Sequence, residues 1–319
     1  PLLAPNRPRL VNPSHPSARR CQFRDLPRQD VPVTVEQQHL ARQLWLVIEP
    51  IHALTYFGNR TQQAAEALGL RGFWMSYFAC RAAPMGSVST ATVSATFFNF
   101  NPQRVARAIP DAWSYASPEH LISARFEAVN RTATDVFGSY PEVSTDLLEL
   151  ISAAAQSADF DGRPLAAANA VIDVSRESPF IQLWQATTVL RESRGDGHIA
   201  ALIDADLTGA EALALFSACG GPPLALFEAS RGWSHEELVQ AQQHLADRRL
   251  MTTSGIPTDD GLSLHNHIEA ATDRLARAPI DALGPQQVAR LIELTDALTR
   301  KITESRLIPY PNPIGLPRN

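Results

Sequence analysis

The chain has 319 residues, of which 45% are apolar and 19% charged, so it can bury a large core and is not globally disordered. No stretch approaches the roughly 18 uninterrupted apolar residues of a membrane span. Three cysteines (Cys21, Cys80, Cys219) without a C-x-x-C pair exclude a disulfide framework and a structural zinc site; with no secretory pattern at the start, they point to a reducing, cytoplasmic setting.

Of the net charge of −5, residues 1–33 contribute +4, from six arginines against Asp25 and Asp30, which leaves −9 on the rest. That first segment also holds seven prolines and little apolar periodicity, and it reads as an extended tail. Thr34-x-x-Gln37 then forms a capping box, and Leu40, Leu44, Val47 and Ile51 follow at helical spacing. The pattern predicts a helix over 34–57, bent at Pro50. Shorter helices are expected over 61–68, 71–83 and 88–98. Asn101-Pro102 and Ser117-Pro118 each place a cap before a proline at the first helical position, opening helices over 102–109 and 118–137. Residues 144–157 and 163–171 read as a helical connector.

In the second half, Arg191-Glu192-Ser193-Arg194-Gly195-Asp196-Gly197-His198 reads as a tight glycine turn between a helix ending near Ser193 and one starting near His198. Ser234-x-x-Glu237 caps a helix to Arg249. Leu250 to Thr253, the Gly255-Ile256-Pro257 turn and Leu262-Ser263-Leu264 then read as strand, turn and strand before a last long helix near 261–278. That order is the winged-helix order.

Two short matches recur at an offset of 139: Gln43-Leu44-Trp45 with Gln182-Leu183-Trp184, and Ala79-Cys80 with Ala218-Cys219. The order of elements around them suggests duplication. The expected fold is therefore all-α with one small β-wing, built from two pseudo-repeated winged-helix-like halves. The expected organisation is a tail (1–33), an N-terminal half (34–142), a helical connector (143–179), a C-terminal half (180–281) and a C-terminal helix with a Pro-rich tail (282–319).

Across 234–262 two basic residues (Arg248, Arg249) stand against five acidic ones (Glu236, Glu237, Asp247, Asp259, Asp260), a net −3. Carboxylates set against phosphate repel it, so the charge argues against DNA binding by this element and for a scaffold role or a homodimer contact.

Three clusters carry polar chemistry. Trp45, Glu49, His52 and Tyr56 fall on one helical face, where Glu49 could orient His52 as a general base with Tyr56 as donor. The bland alternative is a satisfied hydrogen-bond network. Trp74, Tyr77 and Arg81 share another face, suited to a planar and even anionic ligand, with Asn99 in the nearby Phe97-Phe98-Asn99-Phe100 cluster as an amide donor. Arg191, Asp196 and His198 are the third, in the glycine turn; a capped turn with surface ion pairs is its bland reading. His265 and His267 lie on different faces, which argues against a metal site. No phosphate-binding, flavin or nucleophile-elbow motif is present, so no cofactor is expected.

Several segments resemble actinobacterial proteins known only as helix-turn-helix domain proteins. They are Glu49-Pro50-Ile51-His52-Ala53, Gly72 through Phe78, Pro110-Asp111-Ala112-Trp113, Gly162 through Asn169, Leu190 through His198, Arg231-Gly232-Trp233-Ser234 and Pro311 through Pro317. The resemblance spans about 34–319. It implies a fold and a cytosolic product of a high-GC bacterium, with some members from specialised-metabolite pathways, and it names no reaction.

Together these readings predict a small organic ligand held between two halves, with no membrane or DNA partner. Cofactor-independent acid–base chemistry of the isomerase, cyclase or lyase kind is expected, with His52, Glu49, Tyr56, His198 and Asp196 as catalytic groups. Trp74, Tyr77, Arg81, Asn99 and Arg191 are the expected substrate contacts. The competing expectation is a ligand-responsive DNA-binding regulator.

Overall fold

A computed structural model describes residues 35–318, with side chains from Gln37 onward. The tail at 1–33 and the Thr34 cap lie outside the described residues. Helix α1 (Val35–His52) runs through Pro50 and passes into a short 3-10 turn at Ala53–Thr55. There follow α2 (Arg60–Ala67), α3 (Gly72–Ala82), α4 (Thr90–Thr96), α5 (Pro102–Ala106), α6 (Pro118–Phe137), α7 (Thr145–Gln156) and α8 (Pro164–Ala170). The remainder comprises α9 (Pro179–Asp204), α10 (Gly209–Ala218), α11 (Leu224–Arg231), α12 (His235–Asp247), α13 (Asp259–Leu275), α14 (Ala278–Leu283) and α15 (Pro285–Glu304).

The cap-then-proline starts operate as the sequence implies: Asn101 and Ser117 each accept a backbone N–H ahead of their prolines, and Ser178-Pro179 opens α9 in the same way. Ser234 and Glu237 form a complete capping box on α12, as do Thr208 and Glu211 on α10. The described residues all belong to one compact unit. At its centre α9 packs against α1, α6, α7, α8 and α13. Phe180, Ile181, Leu183 and Trp184 are wholly buried there, and the Trp184 indole N–H donates to the His52 carbonyl at 3.1 Å.

Two expectations are corrected. There is no β-wing: among the described residues there is no strand, only an isolated bridge between Met251 and Pro257. The loop closes within itself, Thr252 N–H donating to Ile256 O at 2.7 Å and Gly255 N–H to Thr252 O at 3.0 Å. Thr258 then caps α13 by accepting from Gly261 N–H, so Leu262-Ser263-Leu264 is helix. Gly261 makes this fit, since a Cβ there would stand 1.9 Å from the Leu250 carbonyl oxygen. Pairing across the loop stops at that bridge and a Thr258 N–H bond to Leu250 O at 3.2 Å, because the residues after Thr258 are already helix. The fold is therefore all-α, and the winged description of the two halves does not hold.

The glycine turn at 191–198 is the second correction. α9 continues through it without a break. Gly195 and Gly197 are both helical, and the missing side chain of Gly197 serves packing: a Cβ there would meet the Leu275 Cβ at 3.2 Å. Glycine in a helix costs about 1 kcal/mol relative to alanine, and tight burial against α13 offsets it here.

Candidate functional site

Because α9 stays helical, Arg191, Arg194, Gly195, His198 and Leu202 fall on one stripe. That stripe, with Arg42, Trp45, Leu46 and Glu49 from α1 and His265, Ile268, Glu269 and Thr272 from α13, walls a cavity of about 430 Å³. Each helix contributes residues three or four apart, the spacing that puts side chains on one face. α10 adds Leu213, Leu215 and Phe216. Asn99 reaches in from the segment after α4, and Ile314, Gly315 and Pro317 close one side. The size is that of a small-molecule site.

This closing C-terminal strap has its own fastenings. The Asn312 amide, 1% exposed, donates to Leu316 O at 2.9 Å and accepts from Leu316 N–H at 3.0 Å. Arg231 donates to the Pro313 carbonyl. Gly315, with φ +73°, lies so near Phe216 that a Cβ would be 3.0 Å from the ring.

The polar wall is a set of ion pairs. Arg42 spans Asp273 (3.0 Å) and Glu269 (2.5 Å), and Arg194 meets Asp273 at 2.7 Å. Both guanidiniums lie near the Trp45 ring, at 5.8 and 5.2 Å from its centroid. Arg191 pairs with Glu192 at 2.7 Å and lies 3.5 Å from Glu49 Oε1; Arg81 forks onto Glu192 from behind, at 3.1 and 2.9 Å. Burial would raise the Glu192 carboxyl, but Arg191 and Arg81 hold it well below the usual range, so it is ionised. For Glu49 burial prevails over Arg191, and its pKa is raised.

Glu49 Oε2 accepts from the Trp45 indole N–H at 3.0 Å, while Oε1 has no hydrogen bond. Asn99 Oδ1 and Arg194 Nη1 are likewise buried without a hydrogen-bond partner. All three atoms belong to residues on the cavity wall. His198 Nδ1 lies 2.9 Å from Thr272 Oγ1, whose own proton goes to the Ile268 carbonyl at 2.8 Å. The imidazole therefore carries its proton on Nδ1 and leaves Nε2 as an acceptor. Burial holds its pKa down at about 4, so the ring is neutral near pH 7.

His52 is off this wall. Its Nδ1 donates to Thr188 Oγ1 at 3.0 Å, because the Thr188 proton is spent on Trp184 O at 2.9 Å, and its Nε2 accepts from the Tyr56 hydroxyl at 2.9 Å. The ring is stacked at 6.1 Å on Trp184, and burial, helped by Arg191, lowers its pKa well below the ordinary value. Both nitrogens of His52 and the Tyr56 proton are thus committed inside the core.

Tyr77 lies 3.2 Å from the Arg81 guanidinium, and Trp74 packs among Phe73, Tyr77, Phe78 and Phe100. Asp196 points away from the cavity: its Oδ2 accepts from the backbone N–H groups of Leu165 and Ala166 at 3.0 Å each, satisfying the start of α8. Burial lifts its pKa to about 6 against those two bonds.

Of the ten residues expected to act on a ligand, the structure brings Glu49, Asn99, Arg191 and His198 together at the cavity. Arg194, part of the segment read as a glycine turn, joins them on the wall, while Arg42 and Asp273 carry no expectation from the sequence. The signal was there in Glu269 and Asp273, like charges four apart on one helix, which need a cation between them. Among the described residues no group of three or more potential metal ligands occurs, and no helix is long and apolar enough to cross a membrane.

A sequence model described as a helix-turn-helix family matches residues 41–309. The chain belongs to this helix-turn-helix family. No curated protein and no solved structure matches it. The matched span contains every wall residue except those of the C-terminal strap.

Proposed function

We propose that this family member binds a small organic molecule in the cavity between α1, α9 and α13, and exchanges a proton with it through Glu49. The observation that carries the reading is the set of buried polar atoms on that wall without a hydrogen bond: Glu49 Oε1, Asn99 Oδ1 and Arg194 Nη1. Buried polar groups are nearly always satisfied, and all three of these atoms belong to residues on the wall of this cavity. A carboxyl with a raised pKa can both give and take a proton nearer neutrality than an ordinary one. His198, neutral and with Nε2 free, orients the ligand by accepting from it. The deciding experiment is denaturing release of small molecules from protein purified from its native host, read by mass spectrometry. A stoichiometric organic molecule is expected from the wild type and none from Ile268→Trp, which fills the cavity; absence from both overturns the reading.

The family match itself favours a second reading, a ligand-sensing DNA-binding regulator. The acidic start of α12 speaks against that element as the contact. Glu237 is spent on its cap and on Asn101, and Arg248 donates to the carbonyls of Asp206 and Ala205 at 2.6 and 3.1 Å. A regulator would shift its own upstream DNA, with affinity falling steeply between about 50 and 200 mM salt.

A further inference from the structure

Each arginine on the cavity wall already has a carboxylate: Arg42 has Glu269 and Asp273, Arg194 has Asp273, and Arg191 has Glu192 with Glu49 alongside. With Arg81 behind the wall on Glu192, four guanidiniums meet four carboxylates and the polar wall is balanced. A ligand carboxylate or phosphate would find no free guanidinium fork, and its charge would be buried without a counter-ion. An ammonium would meet the same balance from the other side. Arg231 has no carboxylate partner in any ion pair among the described residues, but it is not on the wall; its guanidinium holds the Pro313 carbonyl and lies 4.7 Å over Phe100.

What remains without a hydrogen bond is mostly acceptors: Glu49 Oε1, Asn99 Oδ1 and His198 Nε2, against one donor, Arg194 Nη1. A hydroxyl answers both kinds with one atom, since it donates one proton and accepts through its lone pairs, whereas an amide needs its N–H and its C=O to do so. Much of the remaining wall is apolar, with Leu202, Leu207, Leu215, Phe216 and Ile268. The volume of about 430 Å³ lies in the range of small-molecule sites, room for a body of two or three fused rings. Resting on the reading of this cavity as a ligand site, we infer that its ligand is an uncharged amphiphile with two or more hydroxyl groups on a compact apolar body. Each hydroxyl donates to one of Glu49, Asn99 and His198, so that two of the three are served by a diol, and one hydroxyl accepts from Arg194.

The test titrates the full chain with five compounds on one naphthalene skeleton, by calorimetry and by quenching of tryptophan fluorescence. They are a diol with adjacent hydroxyls, a diol with hydroxyls on opposite rings, the dimethyl ether of the first, naphthoate, and naphthylmethylammonium. At least one diol is expected to bind about tenfold or more tightly than the ether and both ions. His198→Asn, which keeps a donor for Thr272 but removes the Nε2 acceptor, is expected to weaken the diol and leave the ether unchanged. An ether equal to the diols, or an ion tighter than both, overturns the ligand class while the cavity stands as a binding site. If no compound binds, the molecule released from native protein decides: one that is charged or lacks hydroxyls overturns the class alone, and no molecule at all overturns the site with it.

Discussion

His198 and His52 hold the same tautomer for the same reason, a threonine hydroxyl whose proton is spent on its own helix, yet they sit in different surroundings. His198 keeps one nitrogen for the cavity, and His52 keeps none. Replacing His52 by alanine should therefore unpair Thr188 and Tyr56 and cost roughly 2–4 kcal/mol in a denaturant titration. Affinity for a cavity ligand should move by less than about threefold. The pH dependence separates two further groups. His198 resists protonation in the folded state, with a pKa of about 4 against 6.5 when free, so the fold loses stability as pH falls from 6.5 through 4. That loss amounts to about 3 kcal/mol, and His198→Asn should make the acid limb of a stability profile shallower. Asp196 acts with the opposite sign. Its pKa of about 6 exceeds the ordinary 3.8, so its contribution is full below 3.8 and is lost as pH rises through 6. Asp196→Asn should make the same limb steeper. A profile that both variants leave unchanged would show that neither group titrates there.

The two glycines of α9 look alike in the sequence and behave differently in the helix. A Cβ on Gly195 would meet the ends of the Arg191 and Glu192 side chains at 3.6 Å, an ordinary contact, whereas one on Gly197 would press on the Leu275 Cβ at 3.2 Å. Gly195→Ala should raise stability by about 0.5–1 kcal/mol through helix propensity. Gly197→Ala should lower it by about 1–2 kcal/mol and weaken ligand binding, because it forces α9 and α13 apart along the cavity. Paired thermal melts and titrations separate these outcomes. The same comparison explains why a helix could be mistaken for a turn from sequence. Gly-x-Gly beside charged residues has the composition of a loop, and only the neighbour on α13 shows that absence of side chain, not freedom of φ, is what this position requires. Leu262-Ser263-Leu264 misleads similarly. Its alternation suits a strand, but the Thr258 cap two residues before Asp260 has already started a helix.

At the scale of the whole molecule, the cavity exists because three helices far apart in the chain converge and a C-terminal strap covers their side. Asn312 holds the strap through two hydrogen bonds to one residue. Asn312→Ala should raise the ligand dissociation rate by about tenfold or more, and cost about 1–3 kcal/mol in stability. Stopped-flow displacement of a bound probe reads the first and a melt the second. An unchanged off-rate would mean that ligand leaves by another route.

Caps, helix starts and the apolar face of α1 were legible from residues alone, because they depend on neighbours three or four positions away. Glu49 stood out for the same reason, as a carboxyl on an apolar face. Which polar residues share a space could not be read that way. Arg42 with Asp273, Arg191 with Glu49, and Arg81 with Glu192 are pairings more than a hundred residues apart, and His52 and His198 were separated into core and cavity only by what packs around them. Local spacing determined the helices; burial and charge matching, which belong to the folded whole, decided which polar groups meet at the cavity.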